Sequence, residues 1–407
     1  MSGDYRLALD NCIKCSICVS HCPVARVTDK FAGPKQNGPD LERFRLEEPA
    51  AVHPSIGYCS NCKGCDVVCP SGVAISAMNC RAKGEYVSMY GVPLRDKILA
   101  GVDRMGKAAL LAPSLVNWLT GLGPFRALGE KIMGVSAAMT LPRYASKTFL
   151  KLYKPLKIDR VKEKVLYYPG CYVNYNTPEV GLALTEVLAH NNIQVTVEPF
   201  DCCGLPLIAN GLLDKALEQA RSILQKLQGY INKGYRIITT CPSCNLTLRR
   251  EYQEIFQLDT GGLQENMLDI FEYLGTLNQQ GELDRRLNEI PLRLGYHQPC
   301  HLQASGCGVP SRHILQLIPG LQVADLDAGC CGLSGSYGFK KEKYAISQEI
   351  GRNVLKAAKE LGVKQVITEC GMCQLQIRHL TGAAVSHPIQ VLAASYGLGN
   401  DIKNCSN

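Results

Sequence analysis

The chain has no run of roughly 18 apolar residues free of breakers, the length a membrane-spanning helix requires, so it is not expected to cross a bilayer. No apolar leader precedes the first cysteine motif, because Met1 to Asp10 is polar, and the expected compartment is the cytoplasm. No G-x-G-x-x-G follows a strand-like run and no P-loop occurs, which argues against FAD, NAD or a nucleotide held by this chain. Runs of Lys and Arg interleaved with aromatics are missing, and nucleic acid is not an expected partner. Tryptophan occurs once, at Trp118.

Cysteine, by contrast, is abundant, with 21 in 407 residues. The chain is 46% hydrophobic and 20% charged and is long enough for two or three domains with real cores, so disulfide staples are not needed to explain it. In a reducing compartment, metal is the better explanation of so many thiols. The net charge of +8 is modest, compatible with an acidic protein partner, an anionic membrane surface or simple solubility.

Cys12, Cys15, Cys18 and Cys22, followed by Pro23, read C-x2-C-x2-C-x3-C-P, and Cys59, Cys62, Cys65, Cys69 and Pro70 repeat that spacing. Three thiolates of such a run wrap one face of a cubane [4Fe–4S] cluster from a tight turn, and the fourth reaches across to a second cluster. The expected ligand sets therefore cross: Cys12, Cys15, Cys18 and Cys69 for one cluster, Cys22, Cys59, Cys62 and Cys65 for the other. Structural zinc is the alternative, but it usually pairs two C-x2-C arms across a spacer. Within the insert Val24 to Tyr58, Gly33, Pro34, Gly38 and Pro39 argue for loop, and the charges after them for a short exposed helix. Cys80 lies outside both runs and is expected to be a buried structural thiol.

From about residue 164 the sequence repeats itself at a domain-sized period. Cys171, the pair Cys202 and Cys203 before Gly204, then Cys241 and Cys244, recur about 129 residues later as Cys300, the pair Cys330 and Cys331 before Gly332, then Cys370 and Cys373. Each group follows a β-prone run and precedes a helical pattern: Val165 to Tyr168, Gln194 to Val197 and Tyr235 to Thr239 read as strands, as do Arg293 to Tyr296, Leu321 to Ala324 and Gln365 to Thr368. Helical stretches are Pro178 to His190, Leu213 to Lys233, Leu246 to Phe256 and Glu342 to Leu361. This alternation predicts an α/β fold with two repeated parallel sheets behind an α-helical ferredoxin-like amino-terminal domain, the thiols gathering beyond the carboxyl ends of the strands. Five thiolates per repeat exceed what one cubane needs, so each repeat reads as a polynuclear iron–sulfur site, with zinc or a redox dithiol as the alternative.

Residues 12–70 resemble a two-cluster bacterial ferredoxin. The C…CCG…CxxC pattern, present twice, resembles the cysteine-rich CCG domains in the B-subunit of heterodisulfide reductase, which implies a noncubane [4Fe–4S] cluster held by all five cysteines of each copy. Two ferredoxin runs followed by two CCG domains is the order found in iron–sulfur subunits that partner flavoprotein dehydrogenases for glycerol 3-phosphate, glycolate or lactate. The wording N-C-I-K-C at Asn11 to Cys15, G-P-K-Q at Gly33 to Gln36, G-C-Y-V-N-Y-N at Gly170 to Asn176, G-L-P-L-I-A-N-G at Gly204 to Gly211 and Y-G-F-K-K-E at Tyr337 to Glu342 is similar to the C-subunit family of anaerobic glycerol-3-phosphate dehydrogenase. That resemblance implies a carrier of electrons, not catalytic alone, between flavoprotein subunits of A and B type and the quinone pool. It would also tether them to the cytoplasmic side of the inner membrane without a transmembrane helix. A glycolate or lactate oxidase subunit, or a catalytic heterodisulfide-reductase-like subunit, are the other readings.

The expected division is 1–90 for the two-cluster region, 91–160 for a helical linker, 161–285 for the first CCG domain and 286–407 for the second. Within the linker, Ala108 to Phe125 is uncharged but broken by Pro113, Gly121, Gly123 and Pro124, and flanked by Lys107, Arg126 and Lys131, which suits an interfacial element at a membrane or a packed surface against protein. His297 and His301 flank Cys300, and His387 precedes Pro388; each could tune a cluster or carry a proton, or be structural. Tyr172, Tyr175 and Tyr337 are read as cluster-sulfur donors or as packing, and Cys307 and Cys405 stay unassigned.

Overall fold

A computed structural model describes residues 9–398, so Cys405 lies outside the described residues. In the amino-terminal region the residues on either side of the second cysteine of each run adopt left-handed backbone: Lys14 and Ser16 around Cys15, Asn61 and Lys63 around Cys62. Non-glycine residues accept that conformation only where their surroundings enforce it. Here it curls each run so that its thiols face inward, and the short helices Ile17–Ser20 and Gly64–Val67 follow directly.

The helix Ile75–Tyr90 buries Ala77 and Cys80 against Ile208, Ala216 and Ile255 of the first repeat. Its approach is close, since a Cβ on Gly84 would overlap the Leu213 side chain. Cys80 is buried and its Sγ–H donates to Asn61 Oδ1 at 3.2 Å, the structural role expected of it. The insert departs from expectation. The expected short helix is present as Leu41–Arg45 but is only partly exposed: Phe44 faces solvent, whereas Glu42 and Arg45 are buried, because Glu42 pairs with both Arg45 and Arg81, the latter at 2.8 Å, and this charge network pins the insert to Ile75–Tyr90.

Each repeat is built on a four-stranded, wholly parallel sheet. In the first, β1 (Glu163–Tyr167), β2 (Ile193–Val197), β3 (Arg236–Thr239) and β4 (Met267–Asp269) lie in the order β2-β1-β3-β4; in the second, β5 (Arg293–Tyr296), β6 (Gln322–Asp325), β7 (Gln365–Ile367) and β8 (Ala384–Ser386) lie as β6-β5-β7-β8. Near-continuous apolar runs such as Val165-Leu166-Tyr167 are buried on both faces, as a parallel sheet requires. The strand order reverses direction between β1 and β3, and again between β5 and β7, which leaves a crevice beyond their carboxyl ends.

The repeats share one core in which Val165, Tyr167, Ile238 and Phe271 pack with Leu294, Tyr296, Ile367 and Ile389. They meet in a reciprocal manner. The helix Pro178–His190 of the first packs on Pro388–Ser395 of the second, while Ile270–Gln279 of the first packs on Pro310–Leu315, the counterparts of those two helices with the repeats exchanged.

Between the amino-terminal region and β1 run five helices. Val102–Ala109 lies on the first repeat, with Gly106 so close to the Tyr175 ring that an added Cβ would fall 2.6 Å from it. Pro113–Gly121 and Gly123–Met133 form a hairpin with no buried residue. The chain then returns to the second repeat, where Ser136 N donates to Phe339 O at 2.8 Å. Among the described residues no helix is long and apolar enough to cross a membrane.

Candidate metal centres

Cys12, Cys15, Cys18 and Cys69 face one another around a shallow surface pocket that Pro70 and Ile75 also line. Burial, with Cys12, Cys15 and Cys69 as neighbours, pushes the Cys18 thiol up to about 11. The second set is deeper. Cys22, pushed up to about 11 mainly by burial, faces Cys59, and Cys62 and Cys65 complete the group, both raised by burial and by the thiols around them. The fourth thiol of each run receives a backbone N–H: Ala25 N donates to Cys22 Sγ at 3.5 Å and Val73 N to Cys69 Sγ at 3.3 Å. Cys69 thus lies with the thiols of the first run and Cys22 with those of the second. Cys18, Cys22, Cys62 and Cys65, raised in this way, hold their protons until a cation displaces them.

In the first repeat the sulfurs form a continuous series: Cys171 beside Cys202, Cys202 beside Cys203, Cys203 beside Cys244, and Cys244 beside Cys241. In the second, Cys300 adjoins Cys330, Cys330 adjoins Cys331, Cys331 Sγ lies 3.3 Å from Cys373 Sγ, and Cys373 adjoins Cys370. Hydrogen bonds from neighbouring thiols hold Cys203 and Cys330 well below the ordinary thiol range, and a bond from Cys373 pulls Cys370 down to about 7. Cys241 and Cys370 stand at the amino termini of the helices Pro242–Leu246 and Gly371–Thr381, and for Cys370 the backbone N–H groups of Met372 and Cys373 favour thiolate further. Gly332 N donates to Cys330 Sγ at 3.4 Å. Five converging sulfurs, with Cys203, Cys330 and Cys370 drawn toward the anionic form, suit a polynuclear iron–sulfur group in each repeat.

The four thiol sets are not evenly arranged. Cys330 shares an apolar cluster with Cys22 and Cys59, and Cys62 faces both Cys330 and Cys300, so the second repeat borders the second ferredoxin set. The first repeat touches the second through Ser243, which lies against Cys370, and through Tyr172, whose ring covers Gly371.

The three histidines separate by role. His387 is structural: its Nδ1 accepts from Ile389 N at 3.1 Å and its Nε2–H donates to Thr240 O at 3.1 Å, and burial lowers it to about 4. His301 sits where three parts of the chain meet. Its Nε2–H donates to Asn61 O at 2.9 Å, so its Nδ1 accepts from the Ser243 hydroxyl at 2.8 Å. His297 lies at thiols, with a ring nitrogen and the sulfurs of Cys331 and Cys373 all within 4.8 Å of one another. Of the tyrosines, Tyr172 and Tyr175 pack on Gly371 and Gly106, while the buried Tyr337 hydroxyl has no hydrogen-bond partner and lies near Cys59 and Cys22. Cys307 stands apart, its sulfur 2.9 Å from Ser305 Oγ.

One element is invisible to motif reasoning. Lys63 and Glu251 form an ion pair with side chains only 3% and 1% exposed, joining the second ferredoxin run to the first repeat. The Thr247 hydroxyl donates to Glu251, and His301 lies close by. Lys63 sits inside the C-x2-C spacing, where nothing in the local pattern marks it as an anchor.

Comparison with known proteins agrees with this geometry. A family described as "4Fe-4S dicluster domain" matches residues 8–73, and one described as "Cysteine-rich domain" matches residues 165–249 and 294–378. The chain is thus an iron–sulfur protein of the class that joins a two-cluster region to two CCG domains. It is 37% identical over 390 residues to the C-subunit of anaerobic glycerol-3-phosphate dehydrogenase from Escherichia coli (strain K12), covering 95% of this chain and 98% of that one. The chain belongs to that family. It is also 29% identical to the B-subunit of fumarate reductase (CoM/CoB) from Methanothermobacter marburgensis, over 91% of this chain and 68% of the relative. To the D-subunit of dihydromethanophenazine:CoB–CoM heterodisulfide reductase from Methanosarcina barkeri it is 23% identical, over 96% and 95% of the two chains.

Proposed function

We propose that this chain is the iron–sulfur electron-transfer subunit of a quinone-linked anaerobic glycerol-3-phosphate dehydrogenase. In this reading the flavoprotein subunits oxidise glycerol 3-phosphate, and the chain links them to membrane quinone from the cytoplasmic face. The observation that carries it is the grouping of eighteen thiols into four neighbouring sets within a chain similar along 95% of its length to its E. coli relative. Cys12, Cys15, Cys18 and Cys69 would hold one cubane, and Cys22, Cys59, Cys62 and Cys65 the other. Cys171, Cys202, Cys203, Cys241 and Cys244, and likewise Cys300, Cys330, Cys331, Cys370 and Cys373, would each hold a further, noncubane cluster. Iron–sulfur clusters supply one-electron redox chemistry, which is what a link between a two-electron flavin and a quinone requires. The protein's part is to exclude water from the deeper sets, to aim backbone N–H groups at sulfur, and to keep neighbouring sets in fixed contact.

The hairpin supports attachment to a membrane surface. Leu115, Trp118, Phe125, Leu128 and Ile132 are all exposed on it, Leu111 just ahead of it is 89% exposed, and Lys107 and Lys131, also exposed, lie along the same stretch of chain. Each large apolar side chain seated among lipid tails contributes up to about 1.5–3 kcal/mol, and basic neighbours add attraction to anionic headgroups. With 1–90, 91–160, 161–285 and 286–407 as its working parts, the chain would present its thiol-rich body to the flavoproteins and this linker hairpin to the membrane.

The test is anaerobic mixing. The chain, reconstituted with iron and sulfide, is combined with its flavoprotein pair, and absorption of the iron–sulfur chromophore is followed after glycerol 3-phosphate is added. Bleaching on substrate addition is expected. A reduced flavin beside an unbleached chain would sink the proposal.

A further inference from the structure

The two repeats match in their thiols but differ at one buried position beside them. In the first repeat the residue after β1 is Tyr168, whose hydroxyl donates to Asp201 O at 2.6 Å and is thereby satisfied. The matching residue after β5 is His297, 1% exposed. Its backbone N–H donates to Ile367 O at 3.0 Å, which fixes the residue at the head of the crevice. Its side-chain Nε2 has no hydrogen-bond partner, and the ring lies against Cys331 and Cys373.

A buried imidazole with an unmet nitrogen is left with an uncompensated desolvation penalty unless something at the site answers it. Five sulfurs already converge there, so a sixth ligand is not needed. A sulfur-rich group, however, is a ready acceptor. We propose that His297 donates a ring N–H hydrogen bond to a sulfur of the group held by the second repeat, and so sets that group's reduction potential above that of the first repeat. Such a bond stabilises the more negative, reduced state of a cluster and raises its potential. Tyr168 makes no equivalent bond because its hydroxyl is already committed to Asp201. The two repeats are therefore electronically distinct despite their common cysteine pattern.

This inference rests on the iron–sulfur reading of the second repeat. The test uses the full chain, reconstituted anaerobically, in redox titrations followed by electron paramagnetic resonance, with iron counted per chain. His297→Leu is expected to retain wild-type iron and to lower the potential of one group alone, the others staying put. His297→Gln, which keeps an N–H donor, is expected to recover part of that shift. Wild type labelled with 15N-histidine is expected to show a weak nitrogen coupling on that group, absent from H297L. Unchanged potentials in H297L at full iron content overturn the role of His297, as does equal loss of iron from both variants. If Cys331→Ser leaves the iron content of the chain unchanged, it is the iron–sulfur reading of the second repeat that fails.

Discussion

Replacing Glu251 with Gln keeps the shape of the buried junction and removes one charge. The ion pair with Lys63 is nearly sealed from water, with side-chain exposures of 3% and 1%. Two unit charges at about 4 Å in an effective dielectric near 20 attract by about 4 kcal/mol, and removing one partner of a buried pair costs about 3–5 kcal/mol because the other is left uncompensated. Burial disfavours both charges, and each is outweighed by its partner: Lys63 is held well above the ordinary lysine range and Glu251 below the ordinary glutamate range. The signs follow. Glu251, depressed when folded, contributes stability above its unfolded value of about 4.3 and loses it as pH falls through the folded value; Lys63, raised, contributes below about 10.4 and until pH passes its folded value. At neutral pH the pair is fully engaged. E251Q should therefore lower stability by about 3–5 kcal/mol in anaerobic urea unfolding followed by circular dichroism. It should also speed hydrogen exchange across the Cys59–Cys65 loop, whose left-handed Lys63 it unpins. The double variant Lys63→Met with Glu251→Leu should recover most of that loss, because an apolar pair of similar volume leaves no stranded charge. A loss below about 1 kcal/mol in E251Q, or a double variant no better than the single, would refute the assignment of this pair as the tie between the ferredoxin run and the first repeat.

Other outcomes follow from the same geometry. Cys203→Ser should remove or convert the group of the first repeat while leaving the ferredoxin signals, and a spectrum and iron content identical to wild type would contradict its place among the ligands. Gly332, at φ +90, would bring a Cβ into overlap with the Ser347 carbonyl, whereas Gly204, at φ +77, has nothing nearer than Ala216 at 3.9 Å. Gly332→Ala should thus cost about 2–5 kcal/mol in urea unfolding, against roughly 1–2 for Gly204→Ala, and equal losses would defeat the argument. Trp118→Asp with Leu115→Asp should weaken flotation with vesicles of mixed neutral and anionic lipid at least about tenfold at unchanged circular dichroism, since two exposed apolar anchors are lost. Undiminished flotation would move the attachment elsewhere.

Much of this arrangement was readable because thiol spacing is local. A C-x2-C-x2-C-x3-C run dictates both its own curl and the reach of its fourth thiol, and the repeat offset places ten more cysteines on one plan. The strands before those cysteines were readable as short β-prone runs; the helix Pro178–His190 falls where its pattern begins and stops. The fourth strands, Met267–Asp269 and Ala384–Ser386, were not, because three residues are too few to show a period and, unlike the equally short Gln365–Ile367, neither leads into a cysteine motif. The insert helix misled because Glu42 and Arg45 look like solvent-facing charges until Arg81, far along the chain, is seen to meet them. Lys63, Glu251 and the separate fates of His297, His301 and His387 depend on long-range packing that no local pattern carries.

The reciprocal packing of the two repeats bears on how such a molecule changes over time. Two identical chains meeting about a true symmetry axis must carry every substitution twice, so a residue that improves one side is imposed on the other. Joined in a single polypeptide, the halves inherit the paired geometry but are released from that constraint. Position 168 can stay tyrosine while 297 is histidine, and 172 can cover a neighbour's glycine while 301 clasps a third partner. Fusion thus lets matched halves diverge into unlike stations without rebuilding the seam that holds them.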